Sequence, residues 1–141
     1  EAVEIELDPE DCSYKVLKAV CTMDVGKLVN PAMARGQIMG AMAMALSYAK
    51  QEGFLFNKRE QVVNNDLRSY KTLRFTDRPQ YLVDYIETPQ GDGPYGARGL
   101  GEQGVIGIPG ALANALSRAI GKPLSQLPLT PESIWRAKEG I

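Results

Sequence analysis

Val3, Ile5 and Leu7 alternate with Glu4 and Glu6 at the start of the chain, a period of two that predicts a half-buried strand. Asp8-Pro9-Glu10-Asp11 carries turn chemistry, and Tyr14 to Met23 then reads as a longer, more buried strand, so the pair is expected to form an antiparallel hairpin. Asn30-Pro31 marks a helix start. Asn can accept from the free N–H groups of the first turn, and Pro at the first helical position gives up no hydrogen bond. The stretch that follows, PAMARGQIMGAMAMALSYA, is apolar nearly all round and predicts a buried helix.

Residues 51 to 80 are polar and broken, with short strands expected at Phe54 to Phe56 and Gln61 to Val63. Tyr81 to Glu87 is a further strand candidate. Residues 88 to 110 form a long loop rich in glycine and proline, and loops of that length in a compact domain usually carry function. Pro109 opens a helix with Leu112, Leu116, Ala119 and Ile120 on one face, closed by Gly121. A last short helix starts at Thr130-Pro131-Glu132, where the acid suits the first turn. No repeat, linker or low-complexity stretch interrupts the pattern. The whole chain, residues 1–141, reads as one α+β domain.

Composition narrows the function classes. Lys plus Arg number 16 against 17 for Asp plus Glu, so no basic field exists to gather phosphates and nucleic acid is not an expected partner. The longest apolar run, Ile38 to Leu46, falls far short of the ~20 residues that cross a bilayer, so no membrane partner is expected. Cys12 and Cys21 end one strand-like run, roughly 30 Å apart if extended, too far for a disulfide. With no histidine and no zinc-type spacing, they read as buried thiols of a reducing, cytoplasmic compartment. The chain begins at Glu1 inside an alternating pattern, as expected of a piece of a longer protein or a processed subunit.

One stretch stands out chemically. GARGLGEQGVIGIPG, residues 96 to 110, sets a single carboxylate, Glu102, among six glycines. Gly99-Leu-Gly101-Glu-Gln-Gly104 fits the GxGxxG pattern of dinucleotide sites, but neither a buried strand just before it nor an acid about 20 residues after it is present, and no parallel βαβ setting is expected. Glu102 could simply face solvent among turn-forming glycines. Gly101 and Gly104, however, would let backbone pack closely around the acid. Gln37 poses a parallel question. Met33, Gln37, Gly40 and Met44 share one side of the predicted buried helix, with Gly36 beside them. The glycines there serve either a close helix contact, with Gln37 satisfied by nearby backbone, or a notch that admits part of a ligand.

Three motifs resemble one family. DVGKLVNPAMARGQIMGAMAMALSYA, ARGLGEQGVIGIPGALANALSRAIG and LPLTPESIWRAK are similar, in order and spacing, to the C-terminal part of the large subunit of molybdenum hydroxylases, the xanthine dehydrogenase and aldehyde oxidase family. Leu73 departs from the pattern, standing where the family often has proline. The resemblance implies oxidative hydroxylation of an electron-poor carbon, in a purine, an N-heterocycle or an aldehyde, with water as the oxygen source. It implies that Glu102 is the general base, that Gln37 hydrogen-bonds the pterin of a molybdenum–molybdopterin cofactor (in its cytosine dinucleotide form), and that Gly99 and Gly101 let the loop approach it. The remainder of the molybdenum subunit and separate subunits carrying 2Fe–2S clusters and FAD are the expected partners, in a hetero-oligomer with a small-molecule substrate. The alternative is a non-catalytic structural or interaction module that keeps the fold.

Overall fold

The computed structural model describes all 141 residues. Strand β1 (Ala2–Leu7) pairs antiparallel with β2 (Tyr14–Asp24), as the alternating pattern and the Asp8–Asp11 turn predict. Helix α1 (Pro31–Lys50) follows, then β3 (Gln80–Ile86), α2 (Ile108–Ile120) and α3 (Pro131–Glu139). The sheet order is β1-β2-β3, and β3 runs parallel to β2. A parallel β2–α1–β3 crossover is therefore present, contrary to the expectation from sequence. The glycine pattern at Gly99 to Gly104 lies between β3 and α2, but the stretch from Glu87 to Arg98 separates it from the strand, so it does not form the tight strand–glycine–helix phosphate turn.

The caps follow from local chemistry. Asn30 Oδ1 accepts from the Met33 N–H at 3.1 Å, and Thr130 Oγ1 accepts from the Ser133 N–H at 3.1 Å, each satisfying a donor that the first helical turn leaves free. Gly121 closes α2 in the left-handed conformation, φ +68°.

The core lies where α1 and α2 meet the sheet. Ile38, Met42 and Leu46 of α1 and Ile108, Leu112 and Leu116 of α2 are at most 1% exposed, together with Ala19 and Cys21 of β2 and Ile134 of α3. Both cysteines are free and fully buried. The expectation that α1 is buried all round is corrected here. Ala34, Ile38, Ala41, Met42, Ala45 and Leu46 face the core, whereas Met33 is 73% and Met44 53% exposed, with Gln37 and Gly40 exposed between them. Alanine and methionine occupy both sides of this helix, so hydropathy alone does not tell the faces apart. On α2 the expected stripe holds for Leu112 and Leu116, but Ala119 is exposed.

The segment between α1 and β3 is mostly irregular. Of its two expected strands only a single bridge forms, Phe56 opposite Val62, backed by Val63 N–H donating to the Leu55 carbonyl at 2.8 Å. Buried Asn64 organises this loop instead: its Oδ1 accepts from Leu55 N–H at 2.8 Å and its Nδ2 donates to the Gly53 carbonyl at 2.7 Å. No helix is long and apolar enough to cross a membrane.

Because Leu112 is fully buried between α1 and the sheet, Leu112→Ala should remove its packing and leave a cavity. A loss of about 2–5 kcal/mol is expected, read as a lower denaturant midpoint with an unchanged slope.

Candidate functional site

Glu102 and Gln37 are 65 positions apart in sequence, and the fold brings their segments together. The link is one hydrogen bond: Gln37 Nε2 donates to the Gly101 carbonyl at 2.7 Å, immediately before the acid. Gln37 therefore has a backbone partner, one of the two outcomes open for it. Its side-chain oxygen accepts nothing within the chain, which leaves that lone-pair face available to another donor.

Just beyond the acid, Gly104 is buried against α1. A Cβ at Gly104 would lie 3.0 Å from the Ala41 Cβ and 3.3 Å from the Ile38 carbonyl oxygen, so only glycine lets this loop settle on the helix without displacing it. Gly101 behaves differently. A Cβ there, or at Gly99, Gly36 or Gly40, would meet nothing within 4 Å. Within this chain, close packing at the two glycines flanking Glu102 is found at Gly104, against α1, and not at Gly101. Gly101, like its three counterparts, leaves its backbone uncovered.

Glu102 sits at the start of a 3₁₀ turn, Gln103–Val105, and its carbonyl accepts from the Val105 N–H at 3.0 Å. The side chain is exposed and makes no hydrogen bond or ion pair inside the chain. A groove of about 340 Å³ runs between the start of α1 and the loop, lined by Leu28, Asn30, Met33, Gln37, Arg98 and Leu100 among others. Glu102 does not line it, so the amide and the acid belong to neighbouring parts of one surface.

A second set of contacts, not foreseen from the sequence, ties the loop to the sheet. Asp24, the last residue of β2, accepts through Oδ1 from Gly26 N–H at 3.0 Å and Thr88 N–H at 3.1 Å, and Arg98 Nε lies 3.5 Å away. These N–H groups, Gly26 foremost, hold its carboxyl below the usual carboxylate range. Glu87 plays a similar part. The Leu28 N–H at 2.7 Å, aided by Lys27 at 3.1 Å, keeps its carboxyl low as well. Gly26 has φ +63°, and a Cβ there would lie 2.5 Å from the Gly96 carbonyl oxygen. The Asp-x-Gly spacing at Asp24 was the available sequence signal, but it did not reveal what the acid would hold.

The domain thus presents exposed glycine backbone on both α1 and the loop, joined through the Gln37 amide. Residues 1–79 match the model of the molybdopterin cofactor-binding domain family, and the chain belongs to that family. It is 33% identical over 144 residues to the 6-hydroxypseudooxynicotine dehydrogenase complex subunit gamma of Paenarthrobacter nicotinovorans, covering 99% of this chain and 18% of that protein. A putative xanthine dehydrogenase molybdenum-binding subunit of Escherichia coli is 31% identical over 134 residues, with 94% and 18% covered. Among solved structures, quinoline 2-oxidoreductase from Pseudomonas putida 86 superimposes with a TM-score of 0.91 at 27% identity, over 97% of this chain and 18% of that one. The chain thus spans under a fifth of the length of these relatives.

The lowered Asp24 and Glu87 carboxyls set a pH expectation. A carboxylate whose folded value is depressed contributes fully above its ordinary value, and that contribution is lost as pH falls through the folded value. Protection of the backbone amides of Thr88 and Leu28 against hydrogen exchange, corrected for intrinsic rates, should therefore persist down to the ordinary carboxylate range. It should decline only as pH falls further. Loss of protection already near neutral pH would contradict the geometry.

Proposed function

We propose that the chain is the C-terminal part of the catalytic subunit of a molybdenum hydroxylase, which oxidises an electron-poor carbon with water as the oxygen source. The observation that carries this reading is the 2.7 Å bond from Gln37 to Gly101, which couples the glycine-notched helix to the glycine-framed acid. Relatives named as molybdenum-binding and dehydrogenase-complex subunits support the same activity.

The residues present suit a large, polar, planar cofactor. Uncovered backbone at Gly36 and Gly40 on the helix and at Gly99 and Gly101 on the loop leaves room for a ring system to lie close to the main chain. Gln37 would hold the pterin through its free side-chain oxygen while its amide nitrogen holds the loop. When bound, the molybdenum cofactor supplies the two-electron oxidant and the activated water. Glu102 is the general base: it accepts the proton given up as the water oxygen is transferred to carbon. Its carboxylate is exposed and unpaired within the chain, so no internal partner has to be broken before it accepts.

The remaining assignments follow the same reading. The cofactor is the cytosine dinucleotide form, and the electrons leave through 2Fe–2S and flavin groups on partner subunits. The exposed apolar residues Met33 and Met44, at 73% and 53%, are covered by the remainder of the molybdenum subunit. The substrate is a purine, an N-heterocycle or an aldehyde, and the assembly works in the cytoplasm.

Glu102→Gln in the assembled enzyme keeps the side chain's size and removes the proton acceptor. Substrate-driven reduction of the redox centres in a single turnover should slow by about 100- to 10,000-fold, with cofactor content and reduction by dithionite unchanged. A wild-type rate would leave Glu102 as an ordinary loop residue and favour a non-catalytic module. Gln37→Ala should lower cofactor retention, by on the order of 1–3 kcal/mol for a lost contact to a buried polar group, read from cofactor occupancy after dialysis. Unchanged occupancy would limit Gln37 to joining the helix to the loop.

A further inference from the structure

We propose that Asp24 is a positioning residue for Glu102, setting the acid's place by anchoring the start of the glycine span that carries it. The inference rests on Glu102 as the base. It begins with Arg98, four positions before the acid. The Arg98 N–H donates to the Val25 carbonyl at 3.0 Å, and its side-chain Nε donates to the Thr88 carbonyl at 3.2 Å while lying 3.5 Å from Asp24 Oδ1. The same Asp24 oxygen receives the N–H groups of Gly26 and Thr88. One carboxylate thus collects the end of β2, the residue that follows β3 by two positions, and the arginine that leads into Gly99.

From Arg98 onward the chain has little stiffness of its own. Gly99 and Gly101 lack side chains, and a Cβ at either would touch nothing within 4 Å, so between Arg98 and Glu102 only the half-buried Leu100 packs against the core. Two side-chain bonds act on that span: Gln103 Nε2 to the Gly99 carbonyl and Gln37 Nε2 to the Gly101 carbonyl, both 2.7 Å. The first is internal to the loop. Only the second ties it to α1, and Gly104 then seats against Ala41 and Ile38. Glu102 therefore hangs between a sheet-side anchor, in which Asp24 adds to the backbone bonds from Arg98 to Val25 and from Lys27 to Gly96, and a helix-side anchor built on Gln37 and Gly104. Freeing either end lets a glycine-rich segment wander, and a misplacement of about 1 Å at a reacting group can cost 100-fold in rate. The anchor calls for a carboxylate. An asparagine could accept the two N–H groups but could not offer a charge to Arg98.

The test uses the assembled, cofactor-loaded enzyme and two readings, single-turnover reduction by substrate and hydrogen exchange over residues 96–105. Asp24→Ala should slow reduction by about 10- to 100-fold at nearly unchanged KM, and should speed exchange in that segment while α1 stays protected. Asp24→Asn should recover part of both effects. Should Asp24→Ala fail to assemble, Asp24→Asn and Arg98→Gln carry the test, with slower reduction and faster exchange expected in the same direction but to a smaller extent. Placed on Glu102→Gln, the Asp24 substitution should add little further slowing, because a missing base cannot be misplaced. Full multiplication of the two effects, an unchanged rate in Asp24→Ala, or unchanged exchange in the 96–105 segment would each overturn the proposal. Slowed Glu102→Gln beside wild-type Asp24→Ala would reject the positioning role alone, whereas wild-type Glu102→Gln would reject the base and this inference with it.

Discussion

Helix α1 works under two opposed demands, and most of the structure depends on how they are met. One side must bury Ile38, Met42 and Leu46 against the sheet and α2, which supplies much of the domain's hydrophobic stabilisation. The other side is low and open, with glycine at positions 36 and 40 and the amide of Gln37 between them. Small and flexible side chains satisfy both. Alanine at positions 41, 45 and 49 lets neighbouring elements approach closely on the core side, and the helix retains good intrinsic propensity despite its two glycines.

The glycine loop inherits its shape from that compromise. Gly104 can rest on the helix because Ala41 presents only a methyl group there. That seat brings Gly101 within reach of Gln37, and the resulting bond fixes the backbone one residue before Glu102. At the other end, Asp24, Gly26 and Arg98 fix the loop to the sheet through backbone and charge together. The chemistry of each anchor suits its surroundings. Packing against the helix uses shape, whereas the more exposed end of the central strand uses charge-assisted hydrogen bonds.

The surface chemistry fits a domain that works as part of a larger body. A buried apolar core coexists with exposed Met33, Met44 and Ile106 around the helix and loop, and with exposed Phe54, Phe56 and Leu67 in the irregular segment. The chain spans under a fifth of the relatives it matches. In such a setting the exposed carboxylate of Glu102, unpaired within its own segment, is unsurprising, since ligand pockets are commonly assembled from several stretches of chain.

The sequence by itself determined the local features. The alternation at Val3, Ile5 and Leu7, the Asn30-Pro31 and Thr130-Pro131 helix starts and the Gly121 stop each depend on near neighbours, and each is found in the structure. It also brought Gln37 and Glu102 to notice through the glycines around them. Tertiary structure decided what is non-local. The parallel placement of β3 beside β2, the exposed side of α1 and the loss of the two short strands near Phe54 and Gln61 all depend on partners far along the chain. The same holds for the bond from Gln37 to Gly101 and for the grip of Asp24 on Thr88 and Arg98. Periodicity and capping record a residue's environment within a few positions, whereas a hydrogen bond across 64 residues leaves no trace in either, because its geometry exists only once the core has closed.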